Sequence, residues 1–505
     1  MMFRSAAVTS VVVVGMGLGW GCSSFSADDA APADGPDATG PGTTDGTDGG
    51  DASTPITGRP PAGCDVAAEL KDSPVCIDDG LGVFVSPSGD DATTGTKAKP
   101  VKTIGKALEL AAVRKLPRLY VCAGTYAENV AITAQVSLYG GLSCEWAPAA
   151  ARPKIAPPTG VALRVTKVTA AVLVVDADVV GSADAAVPGD SAIAAFVSES
   201  TNVAFRRVNL TAGNATAGAK GASSSNYVGD VAPDGTKGAI AGTSETKWKC
   251  ADNKTTSYCA GGAPATDVGR GGAGRSLPAV GADNSGASGF FTCGVGTVGA
   301  GGLSHAAGGA SMSPGALTAA GWVTTSVGTA GGFGDPAQGG GGAGGQKDGQ
   351  YGGGGGGCGG CGGAGGGPGT NGGSSFALLS FNAAVVITGG VLTSGVAAPG
   401  GAGGAGQAGQ GGGQGGLSSS GVANLGCKGG AGGPGAGGSG GGGGAGGHSA
   451  AVAFVGTEPK PTGAMLTPGS PGLGGGGGEG GTSTGQPGVV GITGSIGKAQ
   501  GSLGL

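Results

Sequence analysis

The chain has 505 residues, of which 123 are Gly, with only 12% charged and 4% aromatic residues. An ordinary domain carries about 7% Gly and about 25% charged residues, so a conventional globular composition is excluded over much of this length. The net charge of −5 leaves no basic surplus to neutralise phosphates, which argues against nucleic acid as a partner.

At the N-terminus Arg4 precedes an apolar run, Ala6 to Leu18, too short for a permanent bilayer-spanning helix. Gly21 and Cys22 follow, and the segment resembles a bacterial lipoprotein signal, although Leu18 sits one place further out than usual and Trp20 is bulky. That resemblance implies a signal over residues 1–22, acylation of Cys22, a membrane held through the lipid, and an outer-membrane or cell-surface location. An ordinary cleaved secretory signal is the alternative. Residues 23–62 carry seven Asp and one Arg among Gly, Pro, Thr and Ala. Nothing there can bury an apolar face, so a disordered tether is expected, averaging about 35 Å end to end.

Without Cys22, ten of the 11 cysteines remain, an even number in an exported chain, which points to disulfides. Cys64 with Cys76, Cys122 with Cys144 and Cys250 with Cys259 are favoured by nearness in sequence; Cys293, Cys358, Cys361 and Cys427 remain. Cys358-Gly-Gly-Cys361 has redox or zinc spacing. A redox CxxC opens a helix in a compact fold, and zinc needs further ligands, whereas the two histidines, His305 and His448, are isolated. Structural disulfides are therefore expected, with no metal and no cofactor.

Residues 63–213 form the first ordered region. Val83 to Ser86 is a short strand. Thr103 can cap a helix whose Ile104, Ala107, Leu108 and Ala111 fall on one face, and Pro117 ends it. LYV at Leu119, NVAI at Asn129 and VSLYGG at Val136 are strands too short for a helix-layered sheet. They suit a coil that winds on itself and stacks on the next. Gly95, Thr96, Pro100, Thr103, Ile104, Ala107 and Leu108, with GTYAENVAI and VSLYGG, resemble the opening of the pectin-lyase-like right-handed parallel β-helix of bacterial surface proteins. The fold expected is thus all-β, a right-handed parallel β-helix with an N-terminal capping helix. Ala171 to Val180 reads as one strand with Leu173, Val175, Ala177 and Val179 on one face, and Val172, Val174, Asp176 and Asp178 on the other.

Ser191 to Gly213 then aligns with Ser374 to Gly395 and Ser449 to Gly469. Each unit opens on Ser and a small apolar run and closes on L-T-x-G at Leu210, Leu392 and Leu466. One coil per unit follows, at 374–395 and 449–469 after the first region. Long Gly-rich loop insertions at 214–373 and 396–448, and a Gly-rich tail at 470–505, leave from one corner. This alternation resembles glycine-rich surface proteins of the PGRS kind. Disorder is the default for such tracts, and trimming 400–447 is expected to cost little, because loop-closure entropy grows slowly with length. Two features oppose disorder. Gly recurs every third residue, the period of an extended three-residue helix, and 349–427 lacks any charge to keep it solvated.

No phosphate loop or Ser-His-Asp set can be assembled. Asp176 and Asp178, with Arg206 and Arg207, are the one cluster a β-helix polysaccharide lyase or hydrolase could use; outward charges that solvate the strands are the plainer reading. The function expected is a non-catalytic envelope or surface lipoprotein displaying Gly-rich loops for adhesion or envelope structure, with polysaccharide or another surface protein as partner. A carbohydrate-active enzyme or carbohydrate-binding β-helix is the alternative.

Overall fold

A computed structural model describes residues 60–227, 231–235, 294–324, 327–344, 353–418 and 427–505, with the backbone of three short strands within 246–277. The signal, Cys22, the tether up to residue 59, Cys250, the Cys259 side chain and Cys293 lie outside the described residues.

Three parallel sheets make up the β region. The first stacks Gly82–Val85, Arg118–Cys122, Ser137–Leu142, Val172–Val175, Val203–Arg206, Val385–Thr388 and Lys460–Thr462. The second stacks Val130–Ile132, Leu163–Thr166, Ala192–Ser198, Ser375–Phe381, Ser449–Val455 and Ala499–Gly504. The third stacks Gly124–Tyr126, Pro153–Ile155, Asp178–Gly181, Asn209–Ala212, Val391–Thr393 and Met465–Thr467. From Arg118–Cys122 onward, consecutive strands of the three sheets fall in different sheets, and each pairs with its equivalent one coil later, an arrangement consistent with a parallel β-helix. Leu119, Leu138, Val174 and Phe205 from the first sheet meet Leu163 and Leu378 from the second and Val179, Leu210 and Leu392 from the third in one buried core.

Helix α1 (Ile104–Arg114) buries Ile104, Ala107 and Ala111 and packs against Gly82–Val85, Arg118–Cys122 and Val130–Ile132. Thr103 caps it by accepting the Lys106 N–H, and the Glu128 carboxylate accepts the N–H groups of Ile104 and Gly105 at 2.7 and 2.9 Å. Three donors that a helix start leaves unpaired are thereby satisfied, two of them by an acid placed favourably for the helix dipole.

The turn from the first to the third sheet is a column of left-handed residues: Gly141, Asp176, Arg207, Gly389 and Gly463, with φ between 50° and 67°. Asp176 therefore interrupts the strand expected over 171–180. Val172 and Val174 point inward before the corner, and Ala177 and Val179 after it, because the turn restarts the alternation one residue out of phase. The two expected faces of that stretch are corrected accordingly.

The described glycine tracts are ordered, which overturns both disorder and the description of them as loops. Eight extended segments, g1 (214–227 and 231–235), g2 (294–311), g3 (327–344), g4 (353–373), g5 (395–416), g6 (427–447), g7 (470–481) and g8 (486–497), exchange backbone hydrogen bonds at every third residue. That repeat is the signature of three-residue helices lying side by side. Segment g6 is the axis. Its Gly432, Gly433 and Gly440 N–H groups donate to g5, g3 and g8, while its Ala436, Ala431 and Gly441 carbonyls accept from g4, g2 and g7. Those six neighbours also bond to one another in a closed ring, and g1 lies outside it against g4 and g5.

Close approach explains the composition. A Cβ on Gly441 would lie 2.0 Å from the Gly367 carbonyl oxygen, and one on Gly432 would lie 1.9 Å from that of Cys358. Only a residue without a side chain fits there. Pro434 is tolerated because its missing N–H would face g8, whose first bond to g6 is accepted by Gln486 from Gly437, one turn further on.

The slab is continuous with the β region. Gly372 N–H to Ala445 O, in the slab, is followed three residues on by Ser375 N–H to His448 O at the start of the second-sheet strands. The nominal tail contributes g7, g8 and the strand Ala499–Gly504, so it too is corrected. Between g2 and g3 a hairpin, Ala316–Thr318 with Gly321–Val323, lays Trp322 and Leu317 over Phe196, Phe376 and Leu379 on the outer wall of the second sheet. No pattern in the sequence analysis marked it.

Candidate functional site

Cys64–Cys76 and Cys122–Cys144 are disulfides. The first holds the segment Val66–Lys71 against the first sheet, where Arg118 Nη2 donates to Val66 O at 2.9 Å. A cleft of about 570 Å³ opens between this segment and the sheet. Tyr139, Pro148, Leu173 and Val175 supply its apolar surface, while Glu69, Arg152, Asp176, Arg206 and Arg207 line its polar side.

The corner geometry builds the polar side. Asp176 and Arg207 are successive members of the left-handed column, so their side chains emerge one above the other. Arg207 clasps Asp176 with Nε and Nη2, at 2.8 and 2.6 Å, the two-pronged match of guanidinium to carboxylate. Nη2 also reaches Glu69 at 2.6 Å, and Arg206 Nη1 reaches the other Glu69 oxygen at 2.7 Å. Hydrogen bonding from Arg207 holds the Glu69 carboxyl below its usual range against an opposing effect of burial, with Arg206 adding to the lowering. Asp176 and Glu69 together raise Arg207 well above its ordinary value. Arg152 approaches Asp178 at 3.7 Å and Asp176 at 4.0 Å, contacts too long for tight pairing.

The structure thus brings together three of the four sequence candidates, Asp176, Arg206 and Arg207. Asp178 stands aside, in the third sheet, accepting from Asn209 Nδ2 at 2.8 Å. Glu69 and Arg152 were missed, because neither is adjacent in sequence to the others. The only early signal for Glu69 was its place inside the Cys64–Cys76 loop.

A general acid must hold its proton near neutral pH, and Glu69 is shifted the other way. Cationic Lys71, Arg152, Arg206 and Arg207 outnumber anionic Glu69 and Asp176 among the lining residues, while Asp72 beside Lys71 at 3.3 Å and Asp178 beside Arg152 at 3.7 Å stand just outside it. An anionic ligand with an apolar flank matches that lining. Among the described residues no group of three His, Cys, Asp or Glu is placed to hold a metal ion.

Cys358, Cys361 and Cys427 are also disulfide-bonded, which makes them structural ties of the slab. His305 Nε2 lies 2.9 Å from Asp335, and His448 is buried against Trp322, so the two histidines serve separate local contacts. The disulfides fit an oxidising, extracellular-type environment. Among the described residues no helix is long and apolar enough to cross a membrane.

A family model described as a protein of unknown function (DUF1565), a family associated with parallel β-helix proteins, matches residues 87–144. This covers the opening loop, α1 and the first complete coil. No curated protein and no solved structure matches the chain.

Proposed function

We propose that the protein is a non-catalytic cell-envelope or surface lipoprotein of the PGRS kind, a right-handed parallel β-helix lidded by α1 and tethered through an acylated Cys22. The observation that carries this reading is the fusion of the slab to the β region, with hydrogen bonds passing from Gly372–Ala445 to Ser375–His448 without a break. Such a unit is stiff without a large hydrophobic core and carries its surface residues at fixed spacing, as an adhesive or structural element of an envelope requires. The short apolar run before Gly21 and Cys22 supports the anchor. Cys22→Ser is expected to release the protein from membranes. Membrane fractionation unchanged by the mutation, with no lipid mass on the wild type, would refute the anchor.

A second reading, a carbohydrate-binding β-helix, is favoured by one observation, the convergence of Asp176, Arg206 and Arg207 in the cleft. The ligand class is a saccharide bearing carboxylates, its ring faces on Tyr139 and its acid groups toward Arg152 and Arg206. Calorimetry with oligouronates is expected to show binding that Arg206→Ala weakens. Turnover of pectate or alginate with added Ca²⁺ would overturn the non-catalytic assignment.

A further inference from the structure

We propose that the last coil forms a tail-to-tail interface between two copies of this chain. Segment g8 bonds to g7, g6 and g2, and its remaining phase, Pro487, Val490, Thr493 and Ile496, bonds to no other segment among the described residues. Val490 is 61% exposed and Ile496 63%. Leu473 on g7 and Met465 on the last third-sheet strand, at 64% and 57%, belong to the same terminal coil. Scattered exposed apolar residues are ordinary, but here three consecutive segments of one coil contribute them.

Charge selects the occupant. From residue 456 to the end of the sequence the charged residues are Glu458, Lys460, Glu479 and Lys498, two of each sign in a chain of net −5. A two-fold axis brings a face against its own copy, so a patch with excess charge would repel itself, and a balanced one does not. Head-to-tail growth is blocked because α1 occupies the starting strands at the other end. Lys460 and Pro461 on the outermost strand of the first sheet hinder strand addition there, and the contact we assign runs through side chains of g7, g8 and Met465.

Sedimentation velocity on the purified full chain tests this. The wild type is expected at twice the chain mass, dissociating on dilution. Ile496→Glu is expected at the monomer mass with an unchanged circular dichroism spectrum. Thr493→Lys alters an exposed polar position and serves if Ile496→Glu fails to fold; it too is expected to be monomeric. Val113→Glu, an exposed apolar site on α1, is expected to remain dimeric. A monomeric wild type or a dimeric Thr493→Lys would overturn the proposal, and so would a Cys22→Ser chain, free of any acyl anchor, that stays monomeric yet floats with phosphatidylcholine vesicles, the last in favour of a lipid surface.

Discussion

Leu210 and Leu392 are direct partners in one parallel ladder, although they stand as far apart in sequence as Asn209 and Val391, 182 residues, whose side-chain to backbone bond lies beside them. Leu466 continues the column beside Leu392. Between these leucines the described glycine segments leave the β region, and Ser375–Phe381 and Ser449–Val455 rejoin it in register.

Leu392 is fully buried in the core. Leu392→Ala is expected to destabilise the fold by about 2–5 kcal/mol, read from equilibrium denaturant melts. Replacing 400–447 by a short turn is expected to cost more than this, not less. It removes g6, around which six other segments pack, and reverses the ranking expected for an entropic loop. A trimmed protein that melts like the wild type would show that the slab adds nothing to stability.

Within the slab, position decides the effect of adding a methyl group. Gly441→Ala forces a Cβ to within 2.0 Å of the Gly367 oxygen and is expected to cost about 1–3 kcal/mol or more. Gly476→Ala meets nothing within 4 Å and is expected to be neutral or to stabilise by about 0.4–1 kcal/mol through the unfolded chain. Thermal midpoints of the two variants should move in opposite directions, or one should not move at all.

His448 has its pKa lowered from 6.5 to about 4, chiefly by burial and secondarily by Lys498. Its Nδ1 accepts the Lys498 N–H at 2.9 Å, so the neutral ring is the one the fold holds. The unfolded chain takes up the proton first. This stabilisation is complete above pH 6.5 and is lost as pH falls toward 4. His448→Gln is expected to flatten the stability profile in that window, as measured by urea midpoints at stepped pH.

Glu69 follows the same sign at lower pH. Its folded pKa lies below the 4.5 of the free group, so its contribution is present above 4.5 and lost on further acidification. Glu69→Gln is expected to shallow the acid limb below that value, and Arg207→Ala to do the same. An acid limb unchanged in both would mean that the cleft ion cluster does not couple to folding.

Short strands at Leu119, Asn129 and Val136, the cap at Thr103 and the three L-T-x-G units were legible because each is a local pattern whose period or capping chemistry has one reading. The stacking of the leucines followed from repetition alone. The corner at Asp176 was not legible, since a non-glycine residue in the left-handed region carries no composition signal, and the inward phase of its strand was misassigned for that reason. The cleft was half legible. Asp176, Arg206 and Arg207 stood out as a charge cluster, but Glu69 joins them only through the disulfide-bound segment, and Arg152 through the coil that precedes it.

The glycine tracts divide the matter most sharply. By itself the sequence determined that they repeat in threes and carry too little charge to remain solvated. It could not determine order, because a single three-residue glycine helix has no internal hydrogen bonds and no stability of its own. Order comes only when the backbone groups of one segment meet those of its neighbours, and those neighbours are brought alongside by the stacking of the coils. Tertiary structure alone could decide that g6 has six of them.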